Sequence, residues 1–197
     1  LNRMGCSITV ITRRASQASA IQSLPHVRVI EGDVYQPEFL SQQMAQHDVL
    51  INLIAILHGS EAAFDKAHVQ LPQIIANACQ ASGLRRLIHI SALGADAQGP
   101  SMYQRSKARG EAVLQQAGLN LTILRPSVIF GAEDKFLNLF ADLQAMAPFM
   151  PLAGAGTLFQ PVWVGDVARA VVRCLQDEHT SGQVYELAGP DVMTLAE

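Results

Sequence analysis

Apolar and polar positions alternate along this chain in two rhythms that exchange places repeatedly. Short β-rich runs occur at "SITVIT" (7–12), "VRVIEG" (27–32), "DVLINLIAIL" (48–57), "RLIHISAL" (86–93) and "LNLTILRP" (119–126). Two more follow, "LFQPVWV" (158–164) and "QVYELAG" (183–189). Between them the apolar residues recur at helical spacing: weakly near 15–23, then at 37–46, 62–82, 101–117, 135–147 and 166–176. Pro72 interrupts the segment at 62–82 and is placed to open a helix in its first turn. Strands alternating with helices predict an α/β fold with a parallel sheet covered on both faces. The strands read as near-continuous apolar runs, as expected when a sheet is buried on both sides.

The helix at 101–117 carries the strongest local signals. Ser101 and Gln104 form the pattern of a capping box, and Gly118 suits the left-handed position that closes a helix. Val113, Leu114 and Ala117 supply an apolar stripe, which leaves Gln104, Arg105 and Glu111 towards water. Tyr103 and Lys107 stand four apart and therefore share one face near the N-terminus. The preceding strand ends in "HISALG", which puts Ser91 at its C-terminal edge, where open parallel sheets bind ligands.

Composition narrows the classes. Hydrophobic residues make up 49% and charged residues 16%, with a mean hydropathy of +0.19. The longest apolar run, "VLINLIAIL", contains Asn52 and is far too short to cross a bilayer. A net charge of −3 with scattered basic residues gives no electrostatic case for nucleic acid. The three cysteines, Cys6, Cys79 and Cys174, are widely spaced and read as buried thiols of a reducing, cytoplasmic setting. No Cys/His spacing and none of the six histidines announces a metal site. "LNRMG" (1–5) reads as the last turn of a helix closed by Gly5, and "TLAE" (194–197) as a capping box with Thr194 at N-cap. Both ends are therefore expected to be cut from a longer polypeptide.

Ser91, Tyr103 and Lys107 form a chemically sensible set. A phenol is a poor base near neutrality, and a neighbouring ammonium favours its phenolate form. A phenol so tuned passes a proton to or from a carbonyl or alcohol, while a serine hydroxyl holds the same oxygen. A Tyr–Lys pair at this spacing is also common on solvated helix faces, so the spacing alone settles nothing.

Several stretches in fixed order carry a resemblance: "ITRR" (11–14), "EGDV" (31–34), "NLIAIL" (52–57), "GLRRLIHISALGA" (83–95), "YQRSK" (103–107), "LRPSVIFG" (124–131) and "PVWVGDVARAV" (161–171). On these the chain resembles the short-chain dehydrogenase/reductase superfamily, in its extended, epimerase/dehydratase-like branch. "SALGADAQGPSMYQRSK", "RPSVIFGAEDKFLNLF" and "YELAGP" are most similar to the group of the reductase-like accessory subunit of respiratory complex I (alpha subcomplex subunit 9) and its bacterial relatives.

The resemblance implies a Rossmann-type doubly wound parallel sheet that lacks, in this chain, its first strand and Gly-rich turn. Residues 1–130 would be the NAD(P)-binding domain, and 131–197 a partial substrate-side region packed on it. Arg13 and Arg14 would meet the phosphate of NADP(H), favoured over NAD(H); two exposed arginines after a strand would look the same. Asp33 and Val34 would meet the adenine, although Asp33 also suits a simple loop cap. Leu53, Ile54 and Ala55 would lie along the cofactor, and Pro126, Ser127 and Val128 would border the nicotinamide. Lys107 would hold the nicotinamide ribose and tune Tyr103, with Ser91, Tyr103 and Lys107 as the catalytic set if the site turns over.

Two readings stay open here: a binding protein that holds the cofactor structurally, and an active oxidoreductase or epimerase. The implied partners are the dinucleotide and a membrane respiratory complex or membrane surface, reached from the inner face of a bacterial membrane. The helical spacing of Phe136, Leu139, Phe140, Leu143 and Met146, with Asp134 as N-cap, suits a core helix, a substrate lid or such a docking surface. The Gly-rich turn GxxGxxG, whose amides hold pyrophosphate in the family, has no counterpart in the sequence. The chain by itself is thus expected to hold a dinucleotide weakly.

Overall fold

In the computed structural model, residues 1–134 and 156–194 are described, in two compact units. The first comprises Leu1–Leu50, Ile54–Leu87 and Arg109–Asn120; the second comprises Ile51–Leu53, Ile88–Ala108 and the residues from Leu121 onwards. The expected helix at 135–147, from Phe136 to Met146, lies outside the described residues, as does Glu197. Asp134 is described, and its Oδ2 accepts the Gly131 N–H at 3.2 Å.

The first unit opens with a 3-10 turn, Asn2–Met4, closed by Gly5 in the left-handed region (φ 73°). Strands β1 (Ile8–Thr12) and β2 (Val27–Glu31) pair in parallel, with Ile8 opposite Val27 and Thr12 opposite Glu31. The weak segment between them becomes a 3-10 turn, Ala15–Ala18, and a single α-turn, α1 (Ser19–Gln22). Helix α2 (Pro37–Met44) has Pro37 in its first turn and buries Leu40 and Met44. It packs on α4 (Leu71–Ser82).

The helical stretch before α4 shows how a proline is accommodated. Helix α3 (Glu61–Asp65) begins at Ser60, whose hydroxyl accepts the Ala63 N–H at 3.3 Å. It continues as a π-turn at Lys66–Gln70 and then as α4, with Pro72 in the first turn of α4. A proline offers no N–H to the carbonyl four residues back, here His68, and its ring crowds that carbonyl. Widening the turn to a π-turn relieves the crowding. The displaced His68 carbonyl is met by Gly110, where a Cβ would stand 1.9 Å from that oxygen. Only glycine fits this contact.

The larger sheet has the strand order β3 (Val49–Asn52), β4 (Arg86–Ile90), β5 (Asn120–Pro126), β9 (Val184–Leu187). Strands β5 and β9 run parallel, from Ile123 opposite Val184 to Pro126 opposite Leu187. The core of the second unit joins Ile88 of β4 and Leu124 of β5 to Val171 and Cys174 of helix α6 (Val164–Gln176). Ile51, Ile90 and Leu187 pack against the same cluster. Helix α5 (Met102–Gln115) starts as its sequence predicts: Ser101 Oγ accepts the Gln104 N–H at 3.1 Å and Gln104 Oε1 accepts the Ser101 N–H at 3.2 Å.

The α/β class and the parallel pairing are as the sequence pattern predicts. Four local expectations change. Strand β3 ends at Asn52 rather than at 57. The run at 158–164 splits into β7 (Leu158–Phe159) and β8 (Val162–Trp163) around Pro161, which has no N–H for a ladder. Their partners, β10 (Met193–Thr194) with β7 and β6 (Ile129–Phe130) with β8, carry no pattern of their own, so Thr194 sits in a strand. Glu111 faces inward: it is 3% exposed rather than turned to water.

Gly110→Ala tests the π-turn contact. Overpacking a tight site costs about 1–3 kcal/mol, and urea unfolding should register a loss in that range. Full wild-type stability in this variant would contradict the close approach.

Candidate functional site

The residues singled out in the sequence divide between the two units. Ser91, Tyr103, Lys107, Leu53, Pro126, Ser127 and Val128 belong to the second; Arg13, Arg14, Asp33, Val34, Ile54 and Ala55 belong to the first.

In the second unit, the chain leaving β4 stays bonded to β5. The Ser91 N–H donates to the Leu124 carbonyl at 2.7 Å, and the Leu93 N–H to the Pro126 carbonyl at 2.8 Å. Pro126 ends β5 and is buried, and the following Ser127 N–H donates to the Leu187 carbonyl at 2.8 Å. Val128 accepts the Val162 N–H at 2.9 Å. The backbone from 91 to 93 is therefore fixed at the strand end.

Lys107 ties helix α5 to that same end. Its Nζ donates to the Ile90 carbonyl at 3.0 Å, and the side chain is 2% exposed. A buried ammonium is costly unless it is hydrogen-bonded, so this carbonyl is a required partner. One residue further on, Ser91 Oγ is buried and makes no hydrogen bond, alone in this among the buried side-chain polar atoms of the described residues. Buried hydroxyls are nearly always bonded, and an exception calls for a physical reason. The buried hydroxyl thus follows directly in sequence the carbonyl that the ammonium binds.

Tyr103 stands half-buried in the first turn of α5, and its carbonyl accepts the Ser106 hydroxyl at 2.9 Å. Burial pushes its phenol up from the ordinary value near 10.0. This corrects the expectation that the lysine lowers it: desolvation of the phenolate is the dominant effect. The phenol is thus a proton donor at neutral pH.

Asn52 and His89, buried within apolar strands, are a pair that the sequence reading passed over. Asn52 Nδ2 donates to His89 Nδ1 at 3.1 Å. The signal was present, since each is a polar residue inside an apolar run and a buried polar group needs a partner. After Asn52 the chain leaves the sheet, and Leu53 is 68% exposed.

In the first unit, Ile54 and Ala55 are exposed, and the Ile56 N–H that follows donates to His68 Nε2 at 3.1 Å. Arg13 and Arg14 are exposed just beyond β1. Asp33 Oδ1 accepts the Tyr35 N–H at 3.0 Å, so Asp33 closes a local turn as well as standing at the β2 end; Val34 is half-buried. Among the described residues, no cluster of three metal-ligating side chains occurs, and no helix is long and apolar enough to cross a membrane.

Comparison with known proteins places the chain in a family. The sequence model of the NAD(P)H-binding family matches residues 1–178, and the chain belongs to that family. It is 35% identical over 205 residues to the mitochondrial NADH dehydrogenase [ubiquinone] 1 alpha subcomplex subunit 9 of Arabidopsis thaliana, covering 100% of this chain and 51% of that protein. The Mus musculus counterpart is 33% identical, covering 97% of this chain and 52% of its own length. The chain therefore spans about half the length of these relatives. In fold it is similar to dTDP-glucose 4,6-dehydratase from Streptomyces venezuelae with NAD bound (TM-score 0.85, 20% identity, 95% of this chain and 67% of that one). It is also similar to UDP-glucuronic acid 4-epimerase from Bacillus cereus with NAD (TM-score 0.84, 16% identity, 98% of this chain and 72% of that one). The Rossmann-type class expected from the sequence holds, as does the similarity to complex I subunit 9, and the fold is like that of epimerases and dehydratases.

The Tyr103 shift has a sign that titration can check. The folded phenol's pKa lies above the unfolded one, so the stabilisation is complete below pH about 10 and is lost as pH rises through the folded value. Urea unfolding from pH 8 to 11 should show a shallower loss for Tyr103→Phe than for wild type. Superimposable curves would contradict the burial effect.

Proposed function

We propose that the chain is the NADP(H)-binding part of a protein of the complex I subunit 9 type, holding the dinucleotide at a short-chain-dehydrogenase site. The observation that carries this reading is the Lys107–Ile90 bond beside the unbonded Ser91 hydroxyl. Lys107 holds the nicotinamide ribose, while Pro126, Ser127 and Val128 border the nicotinamide. Leu53, Ile54 and Ala55 lie along the cofactor, which gives their exposed apolar surface a use. Asp33 and Val34 meet the adenine. Arg13 and Arg14 meet a 2′-phosphate, the planar guanidinium being suited to bidentate phosphate contacts, and this favours NADP(H) over NAD(H). The partner is a respiratory complex, met at a membrane surface.

A second reading is favoured by the Ser91 hydroxyl, which has no partner within the protein. In it, the chain belongs to an active oxidoreductase or epimerase of a small carbonyl or sugar-nucleotide substrate. The dinucleotide would supply the hydride. Ser91 Oγ would hold the substrate oxygen, the Tyr103 hydroxyl would donate a proton to it, and Lys107 would position the ribose.

One set of measurements on the full-length polypeptide separates the readings. NADPH should bind at least about tenfold more tightly than NADH, given a charge-assisted phosphate contact. Carbonyl- and quinone-dependent NADPH oxidation should be absent from wild type and from Tyr103→Phe alike. Turnover in wild type that Tyr103→Phe abolishes, with binding unchanged, would overturn the structural role in favour of the enzyme.

A further inference from the structure

The chain that leaves β3 carries part of the proposed cofactor site without the support of a strand ladder. Residues 53–60 form neither strand nor helix, and all of them but Ile56 are exposed. Ile54 is 39% exposed, and Ala55 beside it is exposed as well. The conformation of such a stretch depends on bonds and contacts made by other parts of the fold.

Ile56 supplies both. Its N–H donates to His68 Nε2 at 3.1 Å, reaching twelve residues along the chain. Its side chain meets the return of the loop, where a Cβ on Gly59 would stand 3.4 Å from Ile56 Cδ1 and 3.0 Å from the Ala63 Cβ. The hydrogen bond falls directly after Ile54 and Ala55, so it fixes the backbone that continues from them.

His68 is itself held from several sides. It is 3% exposed, and its ring centroid lies 5.6 Å from that of Phe64, with the rings tilted by 41°. Its carbonyl occupies the space that Gly110 leaves. The π-turn before Pro72 adds a residue to the helix, about 100° of rotation, and so redirects the side chains that precede the proline. A backbone N–H can only donate, so Nε2 carries no proton and the neutral ring keeps its proton on Nδ1. The one acceptor of the imidazole is therefore committed to the chain beside the proposed site.

We propose that His68 is a positioning residue of the dinucleotide site: through the Ile56 N–H it fixes the conformation in which Ile54 and Ala55 meet the cofactor. Order established before binding lowers the cost of ordering the stretch when the ligand arrives. The inference rests on the reading that this stretch lies along a nicotinamide dinucleotide, and it adds a residue that acts through the backbone.

The test uses the full-length polypeptide, with NADPH and NADH as probes and the Ile56 amide as reporter. His68→Phe keeps a ring against Phe64 and removes the acceptor, whereas His68→Gln keeps an acceptor oxygen on a side chain of similar reach. In His68→Phe the Ile56 amide should exchange with solvent at least about tenfold faster. The dinucleotide should bind that variant about fivefold to tenfold more weakly. His68→Gln should recover most of both losses, which a role in core packing alone would not produce. In wild type, saturating dinucleotide should slow exchange of the same amide at least about tenfold, and this measurement needs no variant to fold. Faster exchange in His68→Phe with unchanged affinity would overturn the positioning role and leave the cofactor reading intact. Exchange in wild type that bound dinucleotide leaves unaltered would do the same. Wild type that binds neither NADPH nor NADH would overturn that reading and the role of His68 with it.

Discussion

The bond from the buried Lys107 ammonium to the Ile90 carbonyl is the constraint around which the second unit is arranged. An ammonium that is 2% exposed needs an acceptor, and the acceptor it uses is the last carbonyl of β4. Helix α5 must therefore begin close to that strand end, which is why its capping box at Ser101 and Gln104 matters beyond helix stability. Ser91 is the residue that follows the bonded Ile90 carbonyl. Hydrogen bonds from residues 91 and 93 to β5 keep the strand end from relaxing to satisfy the serine within the protein. A buried polar atom left without a partner in so ordered a place calls for a physical reason.

Much of this was legible in the sequence. The capped helix, the four-residue step from Tyr103 to Lys107 and the strand end at Ser91 are local signals, and local signals survive into the fold. So did the left-handed Gly5 and the entry of Pro72 in the first turn of α4. What could not be read depends on partners distant in sequence. Glu111 looked solvent-facing on a helical projection yet is buried, because a projection shows periodicity and not what lies opposite. The Asn52–His89 pair joins two strands 37 residues apart, and neither partner alone indicates the other. The sign of the Tyr103 shift departs from the expectation for a related reason. Charge proximity can be guessed from spacing, whereas the depth of burial that outweighs it cannot.

The π-turn at Lys66–Gln70 shows how one proline shapes two distant positions. Pro72 displaces the His68 carbonyl, and Gly110 on another helix yields the room. His68 meanwhile accepts the Ile56 N–H, so the turn also restrains the stretch that follows β3. The chain's relatives by sequence are complex I subunits, and its neighbours in fold are epimerases and dehydratases. Fold alone does not choose between holding a dinucleotide and turning one over.

The most direct test of the account is a crystal structure of the full-length polypeptide with NADP+. The account predicts a dinucleotide oxygen within hydrogen-bond distance of Lys107 Nζ, with the Lys107–Ile90 bond retained or exchanged for it. A dinucleotide bound away from Lys107, with Ser91 and α5 untouched, would contradict it.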